Sequence, residues 1–562
     1  MFSVTLLYFI FILLLLLVCL ISGLTKIISG KAALICALVI LCAAGGSLFL
    51  TPVQAYFNIP TYTPDVTAAA FAESLTAGDL NALSAVYSGS YDMQCEADGA
   101  GEQALLSAAL RCECRCVGEY EKGYLAFQQN VELTHTDLPA MAEAIRARAA
   151  KTLEKYGAEE LRSTVYESDR TYKQSVARRA FDEAAGKVDP ADFTVTETVP
   201  LTLICRRGQW RVQVTRELVE CLHCGLGTGS LKTLVEKLEG DSVRLLQTET
   251  PYVYKHYSID GDYSAPVPAP DEKCYGETDD PAVMQAVIDG AGVLLDGQTT
   301  VWSPDRELMP GSLIHYYCDE SILTIVWREV HNDSVCTFAE IKLADASQLR
   351  RRLTGDSYGS QIWIEGSQIA AASNAVLATG GDLYAFRELG ITSYEGTVYR
   401  CLPARVDSCH FTADGDMLFS YKGELMTAAE AQQFVDEHNV RFSVAFGPVL
   451  VADGQIIETT QYPIGEINEE YARSCIGQYD KLHYVEMVMS RDGDYQRNVT
   501  LKEAQEIMAA TGCPNVYTLD GGQTGLVVIG GKVINRPTYG YERVMSDMLC
   551  YVTAVPENDR LD

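Results

Sequence analysis

Two uncharged apolar runs open the chain: neither Met1 to Leu24 nor Ala32 to Val53 contains Asp, Glu, Lys or Arg. Each is long enough to cross a hydrocarbon core as a helix. Lys26 and Lys31 lie in the short connection, and no positive charge precedes the first run. Basic residues stay on the cytoplasmic side, so a hairpin over residues 1–56 is expected with both ends outside. The basic leader and single short core of a cleaved signal peptide are missing.

Beyond a short linker at Phe57 to Pro64, the apolar period becomes helical. Ala70, Phe71, Leu75, Leu80, Leu83 and Val86 share one side of a helix predicted over Asp65 to Tyr87. Leu138 to Tyr156 and Asp169 to Ala185 continue in that style. From Phe193 the period changes to two, with Gly208 separating two β runs and Trp210 opening the second. Helices followed by a closing antiparallel pair give a small α+β domain over residues 57–240, loosely like the nuclear-transport-factor or cystatin folds. Asp260 to Asp280 is a linker, in which Pro266, Pro268 and Pro270 favour extended chain. It falls within a lead-in over residues 241–295.

Residues 296–562 form a β-rich α+β domain. Ser321 to Val330 and Val335 to Leu343 read as paired strands, and Ser367 to Leu377 as a helix. Thr427 with Glu430, and Thr500 with Glu503, are capping boxes for helices Ala428 to His438 and Leu501 to Thr511. Gly512 stops the second helix. A buried strand, Asn515 to Leu519, runs straight into Asp520, Gly521 and Gly522. A hairpin follows, turning at Gly530 and Gly531. A carboxylate at the mouth of a buried strand, beside two residues without side chains, lets a ligand come close to the backbone.

Charge narrows the partners. A formal net charge of −31 disfavours nucleic acid and anionic surfaces. Of the eighteen cysteines, Cys19, Cys36 and Cys42 lie in the apolar runs. Cys112, Cys114 and Cys116 form CECRC, and Cys221 and Cys224 form CLHC. A zinc site would call for two paired sets with histidines at ligand spacing, and only His223 is near. On the extracytoplasmic side disulfides are the expected use, with Cys401 and Cys409 able to close a local loop. No chemistry is assigned to the middle domain.

Four segments of the C-terminal block carry candidate chemistry: ATGGDLYAFR, FGPVLVADG with its Asp453-Gly454 turn, RSCIG, and the stretch Asn515 to Arg543, which holds TLDGGQTG and ends in Glu542-Arg543. Carboxylates accept sugar hydroxyls or act as acid and base, and guanidinium groups neutralise phosphate oxygens. In this order the segments resemble the phosphodiester glycosidases over about residues 310–555. The bacterial pattern of that family runs roughly A-I-N-G-D-Y-Y-G-F-R, F-G-P-x-L-V-x-D-G, R-x-A-I-G, N-L-D-G-G-G-S-S and E-R. The family is typified by an enzyme that removes N-acetylglucosamine from a phosphodiester, and many bacterial members are exopolysaccharide-related. The chain departs from the pattern at Gly380, Leu383, Gln523 and Gly525.

The resemblance implies a membrane-anchored, extracytoplasmic hydrolase acting on a sugar-1-phosphodiester in a cell-surface glycan. Asp382 and Asp520 would be its catalytic carboxylates. Gly381, Tyr384, Arg387, Arg473, Gly521, Gly522, Gln523, Thr524, Glu542 and Arg543 would line the substrate. Arginine or a divalent cation would neutralise the phosphate. The losses at Gly380, Gln523 and Gly525 leave a second expectation open: a glycan- or sugar-phosphate-binding protein without turnover.

Overall fold

The computed structural model describes residues 4–47, 63–89, 97–122, 126–259, 265–460, 462 and 469–561. The chain divides into two compact units. One comprises residues 1–160 and 164–253, the other residues 161–163 and 254–562. Residues 57–62 of the first expected linker and 260–264 of the second lie outside the described residues.

In the first unit the two apolar runs are helices, Val4–Leu24 and Gly30–Ser47. Among the described residues no helix is long and apolar enough to cross a membrane. The helix predicted over Asp65 to Tyr87 is split in two, Pro64–Ala77 and Leu80–Val86. Gly78 takes the left-handed conformation at φ 65° and ends the first helix. The Asp79 side chain then accepts from the amides of Asn81 and Ala82 and starts the second. Leu138–Glu159 and Gln174–Ala185 are helices. A four-stranded antiparallel sheet runs in sequence order through Glu113–Lys122, Ala126–Thr136, Thr194–Arg206 and Gln209–Val212. Phe71, Leu133, Leu201 and Trp210 pack in its core.

The second unit is built on three larger sheets. A nine-stranded sheet holds Ile322–His331 and Ser334–Leu343, paired in full register as their alternation predicts. It also holds Val449–Ala452, Asn515–Leu519 and Arg473–Asp480, side by side in that order. A five-stranded sheet places Ala375–Gly380 between Val527–Ile529 and Asp547–Val552, with Leu349–Leu353 beyond. Another five-stranded sheet carries Thr397–Leu402 and Ser408–Thr412. Tyr317, Val376, Val444, Tyr517 and Tyr551 belong to one shared core.

Both predicted capping boxes are present. Gly512 takes φ 86° just past the helix Leu501–Ala510. Gly530 and Gly531, at φ 54° and 75°, turn the hairpin, and Asp453-Gly454 forms the expected turn. Two expectations are corrected. The helix predicted over Ser367 to Leu377 stops at Ala372, and Asn374 at φ 50° reverses the chain into the strand Ala375–Gly380. The residues after Asn374 are apolar enough for either element, and pairing on both edges decides for the strand. Cys401 and Cys409 are free thiols. Two strands, Gly390–Tyr394 and Val440–Val444, lie between theirs, so the cysteines are three strand spacings apart. That is roughly 14 Å, about twice what a disulfide can span.

Candidate functional site

The site lies where strand ends from two sheets meet. Asp382 follows Ala375–Gly380, Asp520 follows Asn515–Leu519, and Asp547 opens Asp547–Val552. The Asp520 amide donates to the Gly381 carbonyl at 3.3 Å, so the two acid-bearing ends are adjacent.

Bare backbone makes this approach possible. A Cβ at Gly381 would sit 2.2 Å from Oδ2 of Asp547, and one at Gly521 would sit 2.1 Å from the Ala472 carbonyl oxygen. At Gly380 it would meet the Thr524 carbonyl oxygen at 2.0 Å. The position that holds Asn in the family pattern is here closed by the backbone of the Asp520 turn. Gly522 takes φ 64°, which only glycine adopts freely.

Arg351, in the strand Leu349–Leu353, is the hub of the inner layer. Its guanidinium binds Asp382 Oδ1, Asp547 Oδ2 (2.9 Å from Nη2) and the Ser443 carbonyl. Asp382 Oδ2 accepts from the Ala445 amide at 2.7 Å. Arg351, Asp382 and Asp547 are fully buried. Burial pushes the Asp382 carboxyl up, against the pull of Arg351, and the Asp547 charge adds to the rise. Both Asp382 oxygens are engaged, so this carboxylate braces the FGP segment and does not face the cleft.

Asp520 stands in the outer layer and keeps an accessible edge. Desolvation pushes its carboxyl up to about 6. A 2.6 Å hydrogen bond from Thr524 Oγ1 and the nearby charges of Arg387 and Arg543 pull the other way, while Asp547 adds to the rise. Arg387 lies over the Phe446 ring at 4.4 Å, and Arg543 over Phe386 at 5.4 Å. Phe386 in turn packs on Trp363 with ring centroids 4.8 Å apart, and both rings are exposed. Two guanidinium groups and an aromatic shelf therefore border one carboxylate.

The remaining expected site residues divide. Gly381, Gly521, Gly522, Gln523 and Thr524 lie in the turn around Asp520 or against it. Tyr384 is buried behind the site, stacked on Tyr358 at 4.8 Å, with its hydroxyl accepting from the Gly359 amide. Arg473 donates to the Glu469 and Val499 carbonyls, at 2.6 and 3.4 Å. Glu542 accepts from the Ser367 amide at 2.8 Å, at the start of the helix Gly366–Ala372.

Sequence reasoning missed Arg351 and Asp547. Asp547 carries the same signal as Asp520, an acid at the mouth of an apolar run, MLCYV. Arg351 lies in LRRRL, where three adjacent arginines read as a solvated strand. The carboxylates of the site do not suit a divalent cation, because Asp382 and Asp547 share one guanidinium and Asp520 has the charges of Arg387 and Arg543 nearby.

Residues 368–552 match the phosphodiester glycosidase family, a hydrolase family. Among curated proteins, an uncharacterized SPbeta prophage-derived protein of Bacillus subtilis, YomE, is 27% identical over 177 residues, 30% of this chain. The match spans 26% of that relative's length. Among solved structures, one similar chain is the zebrafish N-acetylglucosamine-1-phosphodiester alpha-N-acetylglucosaminidase catalytic domain, auto-inhibited by its pro-peptide. It is 16% identical, with 41% of this chain and 83% of that chain covered and a TM-score of 0.35. Another is a hypothetical protein from Synechocystis, 12% identical, covering 43% of this chain and 64% of that one at a TM-score of 0.33.

Proposed function

We propose that the chain hydrolyses a sugar-1-phosphodiester, breaking the bond between the anomeric carbon and the phosphate oxygen, in a glycan outside the cytoplasm. The observation that carries this reading is Asp520: an accessible carboxylate tuned to about 6, with Arg387 and Arg543 beside it. A general base works best when its pKa lies near the working pH. Ionised Asp520 activates water, and the two guanidinium groups neutralise the departing phosphate, so the leaving group needs no strong acid. The Trp363–Phe386 shelf offers an apolar face to a sugar ring. Asp382 and Arg351 hold the floor in place.

The N-terminal helices are proposed as the membrane anchor. Phe9, Phe11, Leu13, Leu20, Leu34 and Val39 are among their exposed large side chains, an arrangement that suits lipid. The −31 charge would then face the extracytoplasmic side.

The full chain, purified in detergent, should release sugar from a synthetic sugar-1-phosphodiester, and Asp520→Asn should abolish the release. A folded wild-type protein that turns over none of a broad panel of such diesters, yet binds them, would instead support the binding-protein reading. The closure of position 380 by the Thr524 carbonyl favours that second reading.

A further inference from the structure

The middle domain holds a cluster that no part of the glycosidase reading uses. His135 Nε2, a Glu197 carboxylate oxygen and Cys221 Sγ all lie within 4.8 Å of one another. They come from three elements. His135 is on the strand Ala126–Thr136, Glu197 is on its partner Thr194–Arg206, and Cys221 is on the helix Arg216–Leu222. Leu133 pairs with Glu197, so His135, two residues on, shares its face of the sheet as a diagonal neighbour.

The imidazole is set as a metal-binding histidine is set. His135 is only 5% exposed. Its Nδ1 lies 3.1 Å from the Thr136 carbonyl oxygen, which can only accept, so Nδ1 carries the proton. Nε2 then presents a lone pair. It is buried without a hydrogen-bond partner, and Glu197 Oε2 lies 3.8 Å away. A buried ring nitrogen in that state is costly unless something fills the space in front of it. A backbone carbonyl on the far nitrogen is the usual support for a histidine that ligates metal.

Cys221 is buried in the core against which Cys112 packs. Cys224 is buried too, but its thiol donates to the Ala109 carbonyl at 3.7 Å. A divalent cation held by Cys221 would deprotonate its thiol outright. His135 also lines an open cavity of about 500 Å³, and the Glu197 side chain is exposed, so the group is reached from solvent.

We propose that His135, Glu197 and Cys221 bind a zinc-like divalent cation, with water completing the set. Mixed nitrogen, sulfur and oxygen donors suit zinc, whose tetrahedral ligands stand about 3.5 Å apart. The cluster tightens by about 1 Å to reach that geometry. Binding displaces the Cys221 thiol proton to solvent and involves no redox step. The site is independent of the glycosidase reading. His223, the histidine inside CLHC, places Nδ1 3.0 Å from the Gly227 carbonyl and is not part of the group.

The test is cobalt titration of the full chain, stripped with a chelator and kept reduced. One equivalent should produce a thiolate-to-cobalt charge-transfer band, and zinc should displace it stoichiometrically. Cys221→Ser should lose the band, His135→Gln should weaken binding, and Cys116→Ser, at an exposed thiol, should leave both unchanged. Should the first two variants fold poorly, the wild-type chain still decides. Its melting temperature should fall on chelation and recover with one equivalent of zinc. Absence of a charge-transfer band in the folded wild-type chain, or a band that survives in Cys221→Ser, would overturn the proposal.

Discussion

The backbone amide of Asp520 donates to the carbonyl of Gly381, at 3.3 Å. That bond joins the ends of strands from two different sheets, and it puts a partly accessible acid directly in front of a fully buried one. The buried acid, Asp382, is committed to Arg351 and the Ala445 amide. The accessible one retains the freedom to meet a ligand.

The pH dependence of turnover follows from Asp520. As a base it must be ionised, so kcat/KM should rise with pH through an inflection near 6 and then level off. A pH–rate profile that falls through that range would assign Asp520 the role of acid instead.

Stability should run the other way. The folded carboxyl titrates near 6, above the ordinary value of about 3.9. Between these the folded state binds more protons than the unfolded state, so stability declines as pH rises through that window. The cost is at most about 3 kcal/mol and is fully present above pH 6. Asp520→Asn removes it, and should melt higher than wild type at neutral pH while being inactive. Equal melting temperatures at acid pH and a gap at neutral pH are the signature to measure by calorimetry.

Removing Arg351 should be far more damaging. Arg351→Met leaves Asp382 and Asp547 buried without their shared counter-charge, at a cost of about 3–5 kcal/mol in denaturant unfolding. A loss under 1 kcal/mol would mean that the buried triad is not the brace described above.

Thr524→Val removes a hydroxyl that lies 2.6 Å from both Asp520 Oδ2 and the Gly521 carbonyl oxygen. The Thr524 hydroxyl donates to Asp520 at 2.6 Å and favours its ionised form. Without it the inflection in the pH–rate profile should move above 6, with a stability loss of about 1–3 kcal/mol. An unmoved inflection would show that another group sets the profile.

Restoring the family residue at position 380 should fail. Even the Cβ of Gly380→Ala meets the Thr524 carbonyl at 2.0 Å, and the turn carrying Asp520 has to shift. Gly380→Asn should therefore lower both melting temperature and turnover. A gain in turnover would show that the turn yields.

Local signals were legible in the sequence where they rested on neighbouring residues. The capping boxes at Thr427 and Thr500 and the Gly530-Gly531 turn need only their own residues, and all formed as read. Asp520 was legible as an acid at a strand mouth. Partners across sheets were not. Arg351 lies 31 residues from Asp382 and 196 from Asp547, and nothing in LRRRL separates a buried arginine from a solvated one. The same limit hid the cluster in the middle domain. CLHC drew attention to His223, whereas the histidine facing Cys221 comes from a distant strand through the register of the sheet.

The most direct test of the central claim is which bond breaks. The full chain is allowed to hydrolyse a sugar-1-phosphodiester in water enriched in heavy oxygen, and the phosphate product is read by mass spectrometry. Attack at the anomeric carbon leaves the phosphate unlabelled, which is the result expected here. Heavy oxygen in the phosphate would place the attack at phosphorus and contradict the glycosidase account.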